Sequence, residues 1–327
     1  MLLAGLVAFL MAAVLTPLLA AWARRRNLLD IPNERSSHQV ATPRIGGAAF
    51  ALSLLAALWL AHVGAHSVSP SAWLVVAAAC GLALVGLIDD FRPLPALLRL
   101  AIQVGISILV AANATPPAAI PTAVSIVVIT LWTTAATNAF NFMDGIDGIG
   151  GGQAIAAGVG WLLVGRLIGS DDVALLGLLG AAAPAGFLLY NWAPAKVFMG
   201  DVGSAFLGFL FAALPAVAGQ ARLELWVCAV LLLWPFLFDT ALTLMQRIYR
   251  RENILAAHRS HLYQRLTASG LSHARVAVLY TVLAFTGVIA AVVVVSDSPG
   301  APVIAVVIVG CSALSLWRYV STRSRNP

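Results

Sequence analysis

Long apolar runs recur along almost the whole of this chain and restrict its fold more than any other feature. Each run has about 17–22 residues, enough for a helix to cross the hydrocarbon core of a bilayer. The runs do not alternate between apolar and polar residues, so helices are predicted and barrel strands are not. We therefore predict an all-α integral membrane protein, a polytopic bundle of about eleven transmembrane helices, or about ten if one run does not cross. The predicted spans are 2–22, 45–63, 72–88, 97–113, 118–137, 153–169, 173–190, 202–219, 225–245, 275–295 and 302–319.

The composition supports the same class of protein. Only 10% of the 327 residues are charged, against about 25% in soluble domains. The formal net charge of +6 does not indicate nucleic-acid binding, because the basic residues lie in loops between the spans. No linker or soluble insert separates the spans, so residues 1–327 are predicted to form a single polytopic domain.

The distribution of basic residues predicts how the chain is oriented in the membrane. No basic residue precedes the first apolar run, and Arg24, Arg25 and Arg26 follow it. Because cytoplasmic loops are enriched in Lys and Arg, the N-terminus is predicted to lie outside and the C-terminus in the cytoplasm. In this orientation every polar, glycine-rich loop falls on the cytoplasmic face, which predicts a single chemical face. These loops are 23–44, 89–96, 138–152, 191–201 and 246–274.

One of these loops, residues 138–152, holds the densest group of polar side chains. It reads Asn-Ala-Phe-Asn-Phe-Met-Asp-Gly-Ile-Asp-Gly-Ile-Gly-Gly-Gly. Asn141, Asp144 and Asp147 are spaced three apart, which places them on one face of a helical turn. The glycines let the backbone leave helical geometry and approach a ligand closely. We interpret this loop as the centre of an active site at the membrane surface; the alternative is a polar connection between two helices.

Carboxylates mark two further cytoplasmic loops. Asp89 and Asp90 end the third predicted span, where they face each other and the negative end of the helix dipole, so a metal ion or a basic side chain is expected nearby. Asp201 begins the eighth span near Lys196, the only lysine, in a setting that suits a phosphate and a metal ion. Phe198, in the same loop, is either a stacking partner for a base or an interfacial aromatic. A solvated helix end for the aspartate pair and a helix N-cap for Asp201 stay open as purely structural interpretations.

Basic and imidazole side chains in the first and last cytoplasmic loops are candidates for contact with phosphate. His258 and His261 do not indicate a zinc site, because zinc needs more ligands than this pair and the last loop has no cysteine. The alternative for both loops is a basic surface on anionic lipid headgroups. The candidates are Arg35, His38 and Arg44 in the first loop, and His258, Arg259 and His261 in the last.

Together these motifs resemble the polyprenyl-phosphate N-acetylhexosamine-1-phosphate transferases (glycosyltransferase family 4), which include the phospho-N-acetylmuramoyl-pentapeptide transferases of peptidoglycan synthesis. The motifs occur in the family's order over most of the chain. The last loop, Ala-His-Arg-Ser-His-Leu-Tyr-Gln, departs from the consecutive histidines of the peptidoglycan enzymes and looks more like the O-antigen initiating transferases. The motifs are Asp89-Asp90, Asn138-x-x-Asn141-x-x-Asp144-Gly-x-Asp147-Gly, Phe198-Met-Gly-Asp201-x-Gly-Ser204 and the His258/His261 loop.

The resemblance implies a reaction at the cytoplasmic face of the bacterial inner membrane. A UDP-N-acetylhexosamine would donate its sugar 1-phosphate to undecaprenyl phosphate, and UMP would leave. This would be the first membrane step in the synthesis of O-antigen or another cell-envelope polysaccharide. Mg²⁺, with Mn²⁺ as the alternative ion, would be the cofactor. Besides the two substrates, the implied partner is membrane lipid, and a homodimer is compatible with the sequence.

The resemblance also implies roles for individual residues. Asp201 would hold the metal ion, with Asn141 as a second ligand. Asp89 would activate or position the lipid phosphate, and Asp90 would lie near the metal or a basic group; a double displacement through an aspartate nucleophile is the competing mechanism. Asp144, Asp147 and Asn191 would bind the uridine part of the donor, with Asn138, Lys196 and Phe198 nearby, and Asp144 would also be catalytic. His258, Arg259 and His261 would bind the diphosphate, and the two histidines are also catalytic candidates. Arg35, His38 and Arg44 would contact phosphate.

Two different functions are weighed against this one. An intramembrane prenyltransferase would carry two aspartate-rich helical motifs, whereas here the second carboxylate site is a lone Gly-Asp-x-Gly-Ser. A non-enzymatic transporter would place polar residues near the middle of several spans. Only Asp239 comes close to that position, and it either supports the site or packs through hydrogen bonds.

Overall fold

The structure is a computed structural model that describes residues 1–32, 40–64, 66–116, 120–219, 221–253, 258–296 and 298–323. The predicted site residues Arg35 and His38 lie outside the described residues. Within the described part, nearly all regular structure is helical. The helices are α1 (Leu2–Arg25), α2 (Gly46–Val63), α3 (Pro70–Phe91), α4 (Ala96–Asn113), α5 (Thr122–Met143), α6 (Ile149–Leu167), α7 (Asp171–Asn191), α8 (Gly200–Val217), α9 (Leu223–Leu232), α10 (Trp234–Tyr249), α11 (Leu262–Ala268), α12 (His273–Val295) and α13 (Ala301–Arg323). Two short antiparallel strands, β1 (Leu29–Asp30) and β2 (Thr42–Pro43), connect α1 to α2.

Among the described residues, nine helices are long and apolar enough to cross a membrane. A tenth span results if α9 and α10, which meet at 75°, are counted as one. Each of the eleven predicted runs overlaps a helix in the described part of the chain. The sixth is α6, a helix rich in glycine that is not one of the nine. The prediction of an all-α polytopic membrane protein is therefore confirmed.

Helix α8 forms the centre of the bundle. In its most apolar stretch 94% of the residues are buried, whereas only 17% are buried in the corresponding stretches of α4 and α13. It packs against α2, α3 and α5. The motif that begins at Gly200 therefore lies at one end of the most enclosed helix, and the elements around it converge on that end.

Glycines allow the central helices to approach this end closely. A Cβ atom on Gly47 of α2 would lie 2.3 Å from the backbone nitrogen of Gly203 in α8. A Cβ atom on Gly86 of α3 would lie 2.5 Å from the carbonyl oxygen of Asp201. Since no real Cβ tolerates such distances, α2 and α3 reach α8 only because these residues have no side chain.

The break between α9 and α10 is fixed by neighbouring helices. Pro235, in the first turn of α10, cannot donate a backbone hydrogen bond. Beside the break, the carbonyl of Leu232 accepts from Gln153 Nε2 of α6 at 2.7 Å. Trp234 Nε1 donates to the carbonyl of Leu283 in α12 at 3.0 Å. The bend is therefore a built feature of the bundle.

Helix boundaries near the glycine-rich motif differ from the predicted loop. Helix α5 continues to Met143 and α6 begins at Ile149, so the connection is 144–148 rather than 138–152. Asn138 and Asn141 consequently lie in the last turns of α5, because the first glycine of the motif comes only at Gly145. In α8 the N-cap is Met199, so Asp201 lies in the first turn and does not fill the N-cap position.

Candidate active site

Three helix ends meet where α3 stops and where α4 and α8 begin. Asp90, in the last turn of α3, accepts hydrogen bonds from the backbone N–H groups of Asp201 (3.2 Å) and Val202 (3.4 Å). These groups belong to the first turn of α8, where the helix dipole favours a carboxylate. Only 3% of the Asp90 side chain is exposed. Asp90 therefore ties the end of α3 to the start of α8.

Arg44, just before α2, joins two carboxylates. Its Nε lies 3.1 Å from Asp90 Oδ1, and its Nη2 lies 2.7 Å from Asp201 Oδ1. Burial works to lower the pKa of the Arg44 guanidinium, but the carboxylates of Asp90 and Asp201 raise it above its usual value. Arg44 is therefore a fixed positive charge within this group, and 40% of its side chain remains exposed to a ligand.

Arg99, in the first turn of α4, makes the corresponding connection on the other side. Its Nη1 forms ion pairs with Asp89 Oδ2 and, at 3.2 Å, with Asp201 Oδ2. Asp89 also accepts a hydrogen bond of 2.7 Å from the backbone N–H of Leu94. Sequence reasoning assigns no role to Arg99, and the only signal is an arginine inside an apolar run ten residues after Asp89.

We call Asp89, Asp90, Asp201, Arg44 and Arg99 the carboxylate–arginine cluster. Three carboxylates and two guanidiniums leave it with a formal charge of −1. Basic side chains are present near Asp89 and Asp90 as expected, because Arg99 pairs with Asp89 and Arg44 pairs with Asp90. Such a cluster can receive a cation, and its arginines can receive phosphate oxygens.

The two asparagines of α5 connect to neighbouring elements of the site. Asn141 Nδ2 donates to Ser204 Oγ in the first turns of α8 at 2.8 Å. Asn138 Nδ2 donates to Gln103 Oε1 of α4 at 2.7 Å and to the carbonyl of Thr134. Gln103 does not stand out in the sequence; it lies one turn after Arg99, on the same face of α4.

Asp144 is the C-cap of α5 and lies close to the cluster. Burial raises the pKa of its carboxyl to about 7, Arg44 opposes that rise, and the charge of Asp201 adds to it. A Cβ atom on Gly150 would lie 2.4 Å from Asp144 Oδ1, so a side chain at this position would displace the carboxyl. A carboxyl with a pKa near neutrality can hold or release a proton at working pH.

Asp147 and Asn191 hold loops together. Asp147 Oδ2 accepts from the backbone N–H of Ala195 at 3.1 Å and lies 3.3 Å from His273 Nδ1. Asn191 is buried, with 3% exposure; its Oδ1 accepts from the backbone N–H of Gly148 at 3.1 Å and its Nδ2 donates to the carbonyl of Val197 at 2.9 Å. Both side chains therefore shape the surface that the α5–α6 and α7–α8 connections present, and direct contact with a substrate stays a prediction for each.

Lys196 and Phe198 lie in the α7–α8 connection. The Lys196 side chain is exposed, and its carbonyl accepts from Arg24 Nη2 at 3.1 Å. The backbone of Phe198 is held by a hydrogen bond to the carbonyl of Pro43 (2.8 Å) and by one from the N–H of Gly46 (2.9 Å). The lysine can thus meet solvent or a ligand, while the aromatic residue is anchored through its backbone.

The histidine loop reaches the same region through Tyr263. The rings of His258 and His261 have centroids 5.0 Å apart. Burial, with the nearby His261 and Arg247, lowers the pKa of His258, which favours a neutral imidazole. The hydroxyl of Tyr263 donates to the carbonyl of Phe142 at 3.2 Å, next to the Asp144 connection. Arg259 is exposed beside the two histidines.

The donor atoms of the site suit Mg²⁺, which prefers carboxylate and amide oxygens. Among the described residues, no three His, Cys, Asp or Glu side chains are grouped so as to hold a metal ion together. Mg²⁺ is usually bound through one or two carboxylates together with phosphate oxygens of the substrate, so a three-carboxylate cage is not required. Asp201 and Asn141 fit that mode, because both lie where α5 meets the first turns of α8.

The structure therefore gathers most of the predicted residues at one end of the bundle, while their individual roles stay predictions. Sequence reasoning misses Arg99, Gln103 and Tyr263, each of which contacts a predicted residue or its backbone neighbour. The predicted residues in the cluster or the connections beside it are Asp89, Asp90, Asn138, Asn141, Asp144, Asp147, Asn191, Lys196, Phe198, Asp201 and Arg44. The predicted residues in the histidine loop are His258, Arg259 and His261.

A family model matches the central part of the chain. The model is that of glycosyl transferase family 4, and the match covers residues 72–219. This range includes the Asp89-Asp90 pair, the 138–152 motif and the start of α8.

Curated bacterial relatives match over most of their length. The chain is 29% identical over 316 residues to a probable undecaprenyl-phosphate N-acetylglucosaminyl 1-phosphate transferase of Bacillus subtilis, covering 90% of this chain and 84% of the relative. It is 31% identical over 323 residues to a decaprenyl-phosphate N-acetylglucosaminephosphotransferase of Mycolicibacterium smegmatis, covering 86% of this chain and 79% of the relative. It is 28% identical over 243 residues to a phospho-N-acetylmuramoyl-pentapeptide-transferase of Staphylococcus aureus, covering 67% and 75%.

Proposed function

Because the chain belongs to glycosyl transferase family 4, we propose that it transfers an N-acetylhexosamine 1-phosphate from a UDP-sugar to undecaprenyl phosphate and releases UMP. The observation that carries this proposal is the carboxylate–arginine cluster, which gathers three carboxylates and two guanidiniums at one end of the membrane bundle. A diphosphate with a divalent cation is the ligand that such a mixed cluster suits.

The names of the relatives favour a polyprenyl phosphate and an N-acetylated hexosamine as the class of substrates. The Bacillus and Mycolicibacterium relatives are named for polyprenyl phosphates and N-acetylglucosamine. UDP-N-acetylglucosamine is therefore the first donor to test, and another UDP-N-acetylhexosamine is the alternative. We place the reaction at the start of a cell-envelope polysaccharide, with O-antigen as the specific proposal from the histidine loop.

The proposed division of labour follows the contacts of the site. Arg44 and Arg99, now paired with carboxylates, are the cations nearest to an incoming diphosphate. Asp89 orients the lipid phosphate; that phosphate is largely ionised near neutral pH, so it needs little base catalysis. Asp144 holds or releases a proton near the reacting groups.

Mg²⁺ would be held by Asp201 and Asn141, and its charge would neutralise the diphosphate as UMP leaves. Around it, the chain's own residues complete the site. His258, Arg259 and His261 contact the diphosphate, and the surface shaped by Asp147 and Asn191 receives the uridine, with Lys196 and Phe198 at its edge. In-line attack by the lipid phosphate is the simplest mechanism compatible with these positions.

Membrane placement is part of the proposal. The polyprenyl chain stays in hydrocarbon and the UDP-sugar stays in water, so the reaction must occur where the two phases meet. We propose that this surface is the cytoplasmic one, that the N-terminus lies outside and the C-terminus inside, and that residues 1–327 act as one domain.

The decisive experiment incubates the purified protein with undecaprenyl phosphate and a panel of UDP-sugars. We expect Mg²⁺-dependent release of UMP together with a lipid-linked sugar diphosphate, fastest with one UDP-N-acetylhexosamine. Release of pyrophosphate from a prenyl diphosphate, without UMP, would favour the prenyltransferase instead. Absence of turnover with every donor would contradict the proposed function.

A further inference from the structure

Asp239 of α10 is a fully buried carboxylate, with 0% exposure, that the proposed reaction does not use. A carboxylate can only accept hydrogen bonds, so burying one requires donors around both oxygens. Both carboxylate oxygens of Asp239 have hydrogen-bond donors. Oδ1 accepts from Leu262 N (2.8 Å), His261 Nδ1 (3.1 Å) and Thr243 Oγ1 (3.2 Å), and Oδ2 accepts from Tyr280 Oη (2.6 Å) and Tyr263 N (3.1 Å).

Three of these donors belong to the start of the histidine loop's helix. The N–H groups of Leu262 and Tyr263 open α11, where they have no partner within the helix. Asp239 supplies that partner from α10. The position of α11 is therefore set by a side chain more than twenty residues earlier in the chain.

The same carboxylate fixes the His261 ring. Because the Asp239 carboxylate can only accept, His261 Nδ1 carries the hydrogen of this contact. The ring is 5% exposed, and it stacks on Tyr263 with centroids 5.8 Å apart. Both the hydrogen on Nδ1 and the orientation of His261 thus follow from Asp239.

Helix α11 passes this constraint on to the glycine-rich connection. The hydroxyl of Tyr263 donates to the carbonyl of Phe142, and a Cβ atom on Gly145 would lie only 2.1 Å from that hydroxyl. Tyr263 therefore sits against the backbone that carries Asp144. Through it, the histidine loop and the α5–α6 connection are held at one fixed separation.

We propose that Asp239 is a positioning residue that sets the histidine loop, and His261 in particular, against the Asp144 connection for reaction with the diphosphate. The proposal rests on the proposed transfer reaction. It does not require Asp239 to touch either substrate. A residue that only packed the bundle would need neither the imidazole partner nor the two N–H groups of α11.

The test compares Asp239→Asn with Asp172→Asn in the full-length protein. Asp172 is the matched control, because it is also largely buried and accepts from a histidine (His66 Nε2, 3.2 Å) and from a backbone N–H (Ser69, 3.1 Å), but at the opposite end of α7 from Asn191. In Asp239→Asn, an NH₂ group replaces one carboxylate oxygen and cannot accept the hydrogen bonds that the surrounding groups donate. We expect kcat to fall by about 100-fold, with KM for UDP-sugar and lipid phosphate each changed by less than about threefold.

Asp172→Asn should lower the midpoint of thermal unfolding comparably and leave kcat within about twofold of wild type. A kcat for Asp239→Asn within about twofold of the Asp172→Asn value would overturn the proposal. An inactive wild-type protein would instead contradict the proposed function, so the two failures are distinguishable.

A second variant covers the case in which Asp239→Asn does not fold. Tyr263→Phe keeps the ring and removes only the hydroxyl that reaches the Phe142 carbonyl. We expect kcat to fall at least about fivefold without a change in KM. Wild-type kcat in Tyr263→Phe would also overturn the proposal.

Discussion

Asp201 takes part in two of the four ion pairs of the carboxylate–arginine cluster. Its two carboxylate oxygens face different arginines, Arg44 and Arg99, and its backbone N–H donates to Asp90. Replacing its side chain removes the ion pairs to both arginines, whereas the backbone bond to Asp90 can remain. Asp201 therefore connects Arg44, Arg99 and Asp90 at the start of α8, and it is also the candidate metal ligand.

Asp201→Asn is expected to lower turnover by at least about 100-fold, because the neutral amide binds a divalent cation weakly and no longer balances two guanidiniums. The measurement is UMP release as a function of Mg²⁺ concentration. Asp171→Asn is the control, since that side chain is 69% exposed at the far end of α7. Unchanged turnover and Mg²⁺ dependence in Asp201→Asn would remove this residue from the metal role.

Arg99→Leu is expected to reduce turnover by about 100-fold, because it leaves Asp89 and Asp201 without their shared cation. Arg99→Lys keeps the charge but has a single ammonium group, so we expect an intermediate rate. Steady-state kinetics with both substrates provides the measurement. Equal rates for the leucine variant and the wild type would show that the ion pairs do not matter for the reaction.

Asp144 predicts a dependence of stability on pH. Its pKa is raised to about 7 in the folded chain from an ordinary value of 3.8, so the folded state binds the proton more tightly than the unfolded state. Its contribution is full below about pH 4 and is lost as the pH rises through about 7. Asp144→Asn stays neutral, so its thermal midpoint relative to wild type should be higher at pH 8 than at pH 5. Without substrate or divalent cation, an identical difference at both pH values would contradict this.

At this scale the sequence identifies most of the acidic and amide residues of the site but not their partners. Asp89, Asp90, Asn141 and Asp201 stand out because polar side chains are costly beside apolar runs. Arg99 and Gln103 could not be paired with them, because those contacts depend on how α4 is placed against α3, α5 and α8. Local sequence does not determine that placement. The role of Asp239 cannot be read from the sequence for the same reason.

Among the helices, the contact of α3 with α8 decides where the aspartate pair lies. Gly86 lies one turn before that pair and touches the backbone of Asp201. The spacing of the apolar runs is enough to predict each helix. It could not predict that α5 extends to Met143 or that the ninth run bends by 75° after Leu232, because both depend on packing against other helices.

Gly86→Ala should push α3 away from α8, since the added Cβ would meet the Asp201 carbonyl at 2.5 Å and backbone cannot give way cheaply. We expect a fall in turnover of about 100-fold. Gly105→Ala is a matched control in α4, because its added Cβ would have no described atom of another element within 4 Å. Similar rates for the two alanine variants would contradict the role assigned to this contact.

For the molecule as a whole, the structure and the family agree on a multi-pass membrane transferase. This class is what the sequence predicts best, since long apolar runs and clustered loop motifs are properties of the chain itself. The orientation remains a prediction from the distribution of Lys and Arg. The two ends of α7 offer a direct way to examine it.

In a variant without the three native cysteines, Ser170→Cys should react with a membrane-impermeant maleimide added to intact cells, and Lys196→Cys should react only after permeabilisation. Ser170 precedes α7 and Lys196 follows it, so one span separates them. Gel-shift labelling gives the measurement, and UMP release checks that each variant is functional. The reverse pattern would place the candidate site on the outer surface.

The unequal burial of α8 and α4 has a consequence for how the site meets different lipids. In the most apolar stretch of α8, 94% of the residues are buried in the protein, whereas the figure is 17% for α4, which carries Arg99 and Gln103. A thinner or thicker bilayer is accommodated by tilting of lipid-facing helices. Hydrophobic mismatch would therefore tilt α4 and move the guanidinium of Arg99, while Asp201 in α8 keeps its position. We expect the rate of the transfer reaction to depend on acyl-chain length for this reason.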